Sequence, residues 1–288
     1  MKILITGEGG MLASAFMRIE STATIDIVAL SKTDLDITDS QSIVTAVSRY
    51  QPTVVINTAA YNAVDRAQVD PQSAMRLNAK AIQDLGSICA TNGIFLVHYS
   101  SDYVFDGTCQ TGYSEHDIPR PISVYGLSKY QGEQALQVIQ GLSYYCIRTS
   151  RLFGPQGTSM GSKISFPDMV LKRLNAGEPF TSIDAEVSSP TYVDDLAIAT
   201  IAMLTGKIKG GLYHRTNEGA CTWYQWAQEI VNILRSKGTV LPDIEKIDSS
   251  ILVRAAKRPD YSVLNTTKLP PLRTWQEALE EYLNKSIN

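Results

Sequence analysis

Tyr125 and Lys129 stand four residues apart in Tyr125-Gly126-Leu127-Ser128-Lys129, a spacing that puts both side chains on one face of a helix. A phenol and an ammonium so placed make a proton-transfer pair. The cation favours the phenolate, lowers the tyrosine pKa and makes the phenol a better acid toward a carbonyl that is receiving hydride. Two dozen residues upstream, Ser100-Ser101-Asp102-Tyr103-Val104-Phe105 follows an apolar run, so the Ser101 hydroxyl can hold that carbonyl oxygen from a strand end. With 14 tyrosines in the chain, about one Tyr-x-x-x-Lys match is expected by chance. The pair gains weight from its place after that serine and after a glycine-rich turn at the start of the chain.

That turn is Gly7-Glu8-Gly9-Gly10-Met11-Leu12-Ala13, a G-x-x-G-x-x-A pattern directly behind the strand expected at Lys2 to Thr6. Small residues let backbone N–H groups approach a pyrophosphate, which the positive end of a helix also favours, although purely steric needs produce such turns too. Where an acidic residue would accept the adenosine ribose hydroxyls, this chain has Ser31-Lys32. The Lys32 cation suits a 2′-phosphate, so NADPH or NADH is expected, with an exposed surface lysine as the alternative. In Leu35-Asp36-Ile37-Thr38 an acid beside an apolar residue could flank an adenine. Asn57-Thr58-Ala59-Ala60-Tyr61 offers small residues where a sheet's carboxyl end meets a cofactor, or simple turn chemistry.

The elements that must position these groups read as an α/β fold. Strands are expected at Lys2 to Thr6, Ile25 to Leu30, Thr53 to Asn57, Ile94 to Tyr99 and Tyr144 to Arg148, most nearly continuous in apolar residues, as in a parallel sheet buried on both faces. Between them Asp39 caps a helix with Ile43, Val44, Val47 and Tyr50 on one stripe. Pro71 opens another helix that ends near Thr91 at Asn92-Gly93. The expectation is a Rossmann-type doubly wound parallel sheet over residues 1–150, then a smaller C-terminal α/β substrate lobe over 151–288, with some segments returning to the first domain. Thr222-Trp223-Tyr224-Gln225 and Thr274-Trp275-Gln276-Glu277 read as capping boxes of core-packing helices in that lobe.

Composition sets the outer limits. The chain has 288 residues, 44% hydrophobic and 19% charged, with a formal net charge of −3, which gives no field to attract nucleic acid. No stretch approaches a membrane span, and the N-terminal apolar run is too short for a signal peptide, so a cytoplasmic protein is expected. Cys89, Cys109, Cys146 and Cys221 show no C-x-x-C pair, and His98, His116 and His214 show no ligand spacing; no metal site is expected. Glu115 and Asp117 before Pro119 read as loop solvation.

Leu35 to Thr38, Asn57 to Asp65, Tyr99 to Phe105, Tyr125 to Lys129 and Lys257-Arg258-Pro259-Asp260-Tyr261-Ser262-Val263-Leu264 together resemble the dTDP-4-dehydrorhamnose reductase family of the extended short-chain dehydrogenase/reductase superfamily, and the resemblance runs through nearly the whole length. It implies Ser101, Tyr125 and Lys129 as the catalytic set. Gly7, Gly10, Met11, Leu12, Lys32, Asp36, Ile37, Ala59, Ala60 and Tyr61, with Tyr125 and Lys129, would line the cofactor. Asp102 and Tyr103 would stand beside the sugar, and Arg258 in the C-terminal lobe would help shape the sugar-nucleotide pocket. Asn78 in Leu77-Asn78-Ala79 is read as a structural hydrogen bonder. The implied reaction is reduction of the C4 ketone of a nucleotide-linked 6-deoxy sugar, foremost dTDP-4-dehydro-L-rhamnose to dTDP-L-rhamnose, by a protein that fits a homodimer and has neither nucleic-acid nor membrane partners.

One departure bears on the substrate. Where the family has serine or threonine before tryptophan, the chain reads Ser150-Arg151, and a Gly-Asn-Asn-Phe loop is replaced by Gly161-Ser162-Lys163-Ile164-Ser165-Phe166. An apolar face beside the sugar nucleotide is lost, and Arg151 could meet a phosphate or a different sugar. Dehydratase relatives carry an acid where this chain has Tyr103, and a phenol is a poor substitute in water elimination, which favours simple reduction. The alternatives are a reductase or epimerase of another NDP-4-keto sugar, or a non-catalytic regulatory subunit of the same fold.

Overall fold

The chain is seen in a computed structural model that describes residues 1–20, 22–159 and 162–287; Gly161 of the departing loop lies outside them. In chain order its first half contains β1 (Lys2–Thr6), α1 (Met11–Met17), β2 (Asp26–Leu30), α2 (Ser40–Tyr50), β3 (Val54–Asn57), α3 (Val64–Val69), α4 (Pro71–Met75), α5 (Ala81–Thr91), β4 (Phe95–Ser101), α6 (Val124–Gln137) and β5 (Tyr144–Thr149). The second half contains β6 (Leu152–Phe153), α7 (Phe166–Asn175), β7 (Thr181–Ile183), β8 (Thr191–Tyr192), α8 (Val193–Thr205), β9 (Gly211–His214), α9 (Trp223–Ser236), β10 (Glu245–Ile247) and α10 (Trp275–Ile287). All five strands expected from the apolar runs form, each within two residues of its expected ends.

They pair in parallel in the order β2-β1-β3-β4-β5-β9, so the sheet's last strand comes from the C-terminal half. Alternation along β1 divides the core. Ile3 and Ile5 face the layer of α1, α8, α9 and α10, whereas Leu4 faces that of α2 and α5. Both faces are buried, which is why β1 reads as an unbroken apolar run rather than an alternating one.

Local chemistry starts and stops the helices. The Asp39 carboxylate accepts the Gln41 N–H at the head of α2, and Thr222 and Gln225 form the reciprocal capping box of α9. The same exchange joins Thr274 to Glu277 at α10. The stripe on α2 is shifted from the expected one: Ile43, Ala46 and Val47 are buried, and Val44 is exposed, because the helix turns its 43–47 edge to the sheet. The helix expected from Pro71 to Thr91 runs through a π-helical turn at Arg76–Lys80. No helix among the described residues is long and apolar enough to cross a membrane.

Candidate active site

Parallel pairing brings the carboxyl ends of β1, β3, β4 and β5 to one edge, where open α/β sheets bind their ligands. β4 ends on Ser101. Ser123 caps α6 by accepting the Gly126 N–H, which fixes the helix start two residues before Tyr125. Gly126 allows α6 to come this close. A Cβ there would stand 2.1 Å from the Tyr103 carbonyl oxygen. As a result Tyr125 comes beside the end of β4, where its phenol feels the Ser101 hydroxyl and its ring meets Tyr103 edge-on at 5.7 Å between centroids.

The electrostatics differ from the sequence expectation. Burial pushes the Tyr125 phenol up to about 12; the Ser101 hydroxyl pulls it down and the Asp102 charge adds to the rise. Lys129 does not lower it. Its ammonium donates to the Tyr99 carbonyl at 2.6 Å, and burial pushes it down to about 8 against the pull of Cys146 and Glu133. Desolvation outweighs charge pairing at both groups.

Asp102 is 3% exposed, and both its oxygens are engaged. Ser101 Oγ donates to Oδ1 at 3.0 Å, and Ser150 Oγ and Ser262 Oγ donate to Oδ2 at 2.9 and 2.6 Å. Burial raises its pKa against those three hydroxyls. Tyr103, also raised by burial, feels the charges of Asp102, Glu186, Arg151 and Arg258.

Arg151 has a backbone φ of 42° and turns its guanidinium onto the carbonyls of Cys221 and Glu186, 4.0 Å above the Trp223 ring. Two of its five N–H donors are thus engaged by protein carbonyls. Trp223, from α9, packs its indole under that guanidinium and against Phe166 and Trp226. Arg258 pairs with both oxygens of Asp65, at 2.6 and 2.5 Å.

The expected cofactor residues gather at the neighbouring strand ends. Gly7 has φ 80°, and a Cβ there would press on the Ala59 backbone at 3.3 Å, so only glycine lets the turn run along the residue 58–61 loop. Gly10 caps α1 without a side chain, ahead of Met11 and Leu12. The Tyr61 hydroxyl is buried and has no hydrogen-bond partner, while Asn78 holds the Tyr61 backbone on both sides, accepting its N–H at 2.8 Å and donating to its C=O at 3.0 Å. Asn78 also donates to Ser128 on α6, the structural role expected of it. Lys32 is exposed at the end of β2, 3.8 Å from Asp36, whose carboxylate receives Thr38; Ala60 and Ile37 complete the rim. A side-chain-free turn, an exposed cation beside β2 held only loosely by Asp36, and an orphaned phenol fit a phosphorylated dinucleotide.

Other members of the site had no expected role. Glu133 lies one helical turn beyond Lys129, 1% exposed, and accepts Ser100 and both prongs of Arg148. The four-residue rhythm Tyr125, Lys129, Glu133 is the signal that could have found it. Lys163 reaches the Asn62 carbonyl at 3.0 Å beside Arg258, and Glu186 receives Trp223 Nε1 and Arg254. These meet only through tertiary contacts. Glu115 is buried rather than solvating a loop: it accepts the backbone N–H groups of His214 and Thr267, tying its loop to β9 and to the Thr267 segment.

The family described as the RmlD substrate binding domain matches residues 1–288. The dTDP-4-dehydrorhamnose reductase of Streptomyces griseus is 34% identical, the match covering 96% of this chain and 91% of that one. The dTDP-4-keto-6-deoxy-D-glucose reductase of Streptomyces niveus is 32% identical over 96% of this chain and 95% of its own. A crystal structure of dTDP-4-dehydrorhamnose reductase from Bacillus anthracis in complex with NADP is similar with a TM-score of 0.90 at 29% identity, covering 99% of each chain.

Proposed function

The chain belongs to the RmlD substrate binding domain family, and from that membership we propose that it is an NADPH- or NADH-dependent reductase of the C4 ketone of a dTDP-linked 6-deoxy sugar, converting dTDP-4-dehydro-L-rhamnose to dTDP-L-rhamnose. The observation that carries this reading is the placing of Ser101 at the end of β4 beside buried Tyr125 at the head of α6, at the same sheet edge as the glycine turn, with Lys129 one turn further along α6 and donating to the Tyr99 carbonyl. Gly7, Gly10, Met11, Leu12, Lys32, Asp36, Ile37, Ala59, Ala60 and Tyr61 would hold the dinucleotide. When bound, its reduced nicotinamide supplies the hydride.

Tyr125 Oη supplies the proton to the oxygen at C4. Burial keeps the phenol protonated at neutral pH, so the donor is loaded before substrate arrives, and the enclosed site strengthens the bond it makes as charge grows on that oxygen. Lys129 places a positive charge one helical turn behind the phenolate that remains. Tyr103, Arg258 and the Trp223–Arg151 stack would face the sugar nucleotide. With four free cysteines, the chain suits the reducing cytoplasm.

The test is NADPH oxidation by purified protein with dTDP-4-dehydro-L-rhamnose, alongside dTDP-4-keto-6-deoxy-D-glucose and GDP- and UDP-linked 4-keto sugars. Turnover with the first and a loss of roughly 100-fold or more in kcat for Tyr125→Phe are expected. No oxidation with any sugar would favour a regulatory subunit, and an intact rate in Tyr125→Phe would remove the phenol as donor.

A further inference from the structure

Glu186 is 8% exposed and stands at φ 60°, in the left-handed region where any residue but glycine is strained. Three side chains meet on it. Its backbone carbonyl accepts from Arg151, and its carboxylate accepts Trp223 Nε1–H on Oε2 at 3.0 Å and Arg254 on Oε1. Arg151, itself at φ 42°, also donates to the Cys221 carbonyl at 2.9 Å and lies 4.0 Å over the Trp223 ring. Two strained residues held by so many partners form one plate, with the indole on one side, the guanidinium on the other and the carboxylate at the edge. We propose that Glu186 is a positioning residue that sets sugar specificity: it fixes indole and guanidinium so that the N–H groups Arg151 has left meet a ring hydroxyl oxygen of the sugar.

The chain carries this plate to the chemistry. Ser150, directly before Arg151, donates to Asp102 Oδ2 at 2.9 Å and shares a hydrogen bond with Ser188, two residues after Glu186. Backbone bonds in both directions join Ser188 to Cys221, two residues before Trp223. Asp102 follows Ser101 at the end of β4, so the plate stands beside the strand end at which C4 would be reduced, and its ligand is the sugar ring rather than the diphosphate. An arginine has five N–H donors and no acceptor. With two of them on carbonyls, what Arg151 can still read is an oxygen. Glu186 takes Arg151 on its carbonyl and gives its carboxylate to Trp223 and Arg254, so one residue keeps both planes from turning.

The proposal rests on the reductase reading, and its test has one arm that needs no turnover. Steady-state kinetics compare wild-type protein, Glu186→Ala, Glu186→Gln, Arg151→Ala, Arg151→Lys and Arg151→Ala/Glu186→Ala on dTDP-4-dehydro-L-rhamnose and its 2-deoxy and 3-deoxy counterparts. Wild-type kcat/KM should be at least about tenfold lower for one of the deoxy sugars, because a donor built for a hydroxyl is left unmet. In Glu186→Ala the KM for the full sugar should rise about tenfold with kcat within about threefold, and the preference should shrink to about twofold or less. Glu186→Gln should recover most of the loss, since an amide oxygen still accepts the indole N–H. Adding Glu186→Ala to Arg151→Ala should cost less than about twofold more, as the effect passes through the guanidinium. A kcat loss at unchanged KM, a preference absent from wild type or kept in Glu186→Ala, or losses that multiply in the double variant overturns the proposal. Should Glu186→Ala not fold, Arg151→Lys decides: an ammonium cannot replace the flat fork, and a preference left intact sinks the idea. Without turnover, the indole N–H resonance of Trp223, assigned by its absence in Trp223→Phe, should move when dTDP-L-rhamnose is added and stay fixed with dTDP alone. A shift with dTDP alone, or none with either, refutes the contact between plate and sugar. If wild-type protein reduces no sugar, the reductase reading fails and this resonance alone upholds or refutes that contact.

Discussion

At Lys129 a buried ammonium is held by one carbonyl, and burial pushes its pKa down to about 8. Below that pH the folded protein carries a poorly solvated charge that the unfolded chain hydrates fully, so the residue costs stability there. As pH rises from 8 toward 10.5 the unfolded chain binds more protons than the folded one, and the cost fades. Function has the opposite sign, because the ammonium is present below pH 8 and lost above it. Activity should therefore hold from pH 6 to about 8 and fall beyond, in a limb that does not belong to Tyr125, whose proton stays on to about 12. Lys129→Met should abolish most activity while raising the unfolding midpoint at pH 7 by a few degrees, since it removes the cost of burying that ammonium. A profile without a limb between pH 7 and 9, or a midpoint that falls, contradicts this account. The four-residue spacing made the pair visible in sequence. The direction of the tyrosine shift was not, because burial depends on Gly126 and on what α6 packs against.

Helix α6 is held at both ends by contacts that tolerate little change. Gly126→Ala places a methyl carbon 2.1 Å from the Tyr103 carbonyl oxygen, and backbone rather than a flexible side chain must give way. Overpacking of this kind costs about 1–3 kcal/mol, and moving Tyr125 by about an ångström can cost 100-fold in rate. A urea midpoint and kcat measured together should both drop. One turn beyond Lys129, Glu133→Gln leaves Arg148 buried at 3% exposure without its carboxylate, at a cost of about 3–5 kcal/mol, whereas Glu133→Leu with Arg148→Leu should cost much less. Equal losses in the single and double variants would deny the pair its role. Strands and caps were legible because apolar runs, Asp39 and the two threonine boxes act locally. The π-turn at Arg76–Lys80 was hidden. It lets Asn78 reach Tyr61 and Ser128 at once, and those partners lie 17 and 50 residues away. The outward turn of Val44 likewise depends on which edge of α2 meets the sheet.

Across the molecule, the second half of the chain is fastened to the first at the rim of the site. Asp65 receives Arg258 on both oxygens and the Ala256 N–H, Ser262 reaches Asp102, Lys163 reaches Asn62, and Ser159 N–H donates to the Gly9 carbonyl. β9 adds to the sheet beside β5, a pairing that spans more than sixty residues and leaves no local mark in the sequence. The Lys257 to Leu264 segment was recognisable as distinctive, but its work is tertiary: it carries the Arg258 guanidinium to the Asp65 carboxylate. Asp65 is held well below the ordinary carboxylate range, first by Arg258, so the clamp is complete above about pH 4 and opens only as pH falls through the depressed value. Asp65 is 44% exposed, so solvent screens the pair and its loss should cost at most about 1 kcal/mol of stability. The consequence belongs to binding instead. With Asp65→Ala the Arg258 guanidinium is no longer aimed, and the sugar-nucleotide KM should rise about tenfold while kcat changes little, because Tyr125 and Ser101 are held by α6 and β4 rather than by this clamp. Kinetics at pH 7 beside a thermal melt separates the two effects: an unchanged KM with a large fall in the melting midpoint would make Asp65 a fold-stabilising residue and take Arg258 out of the pocket.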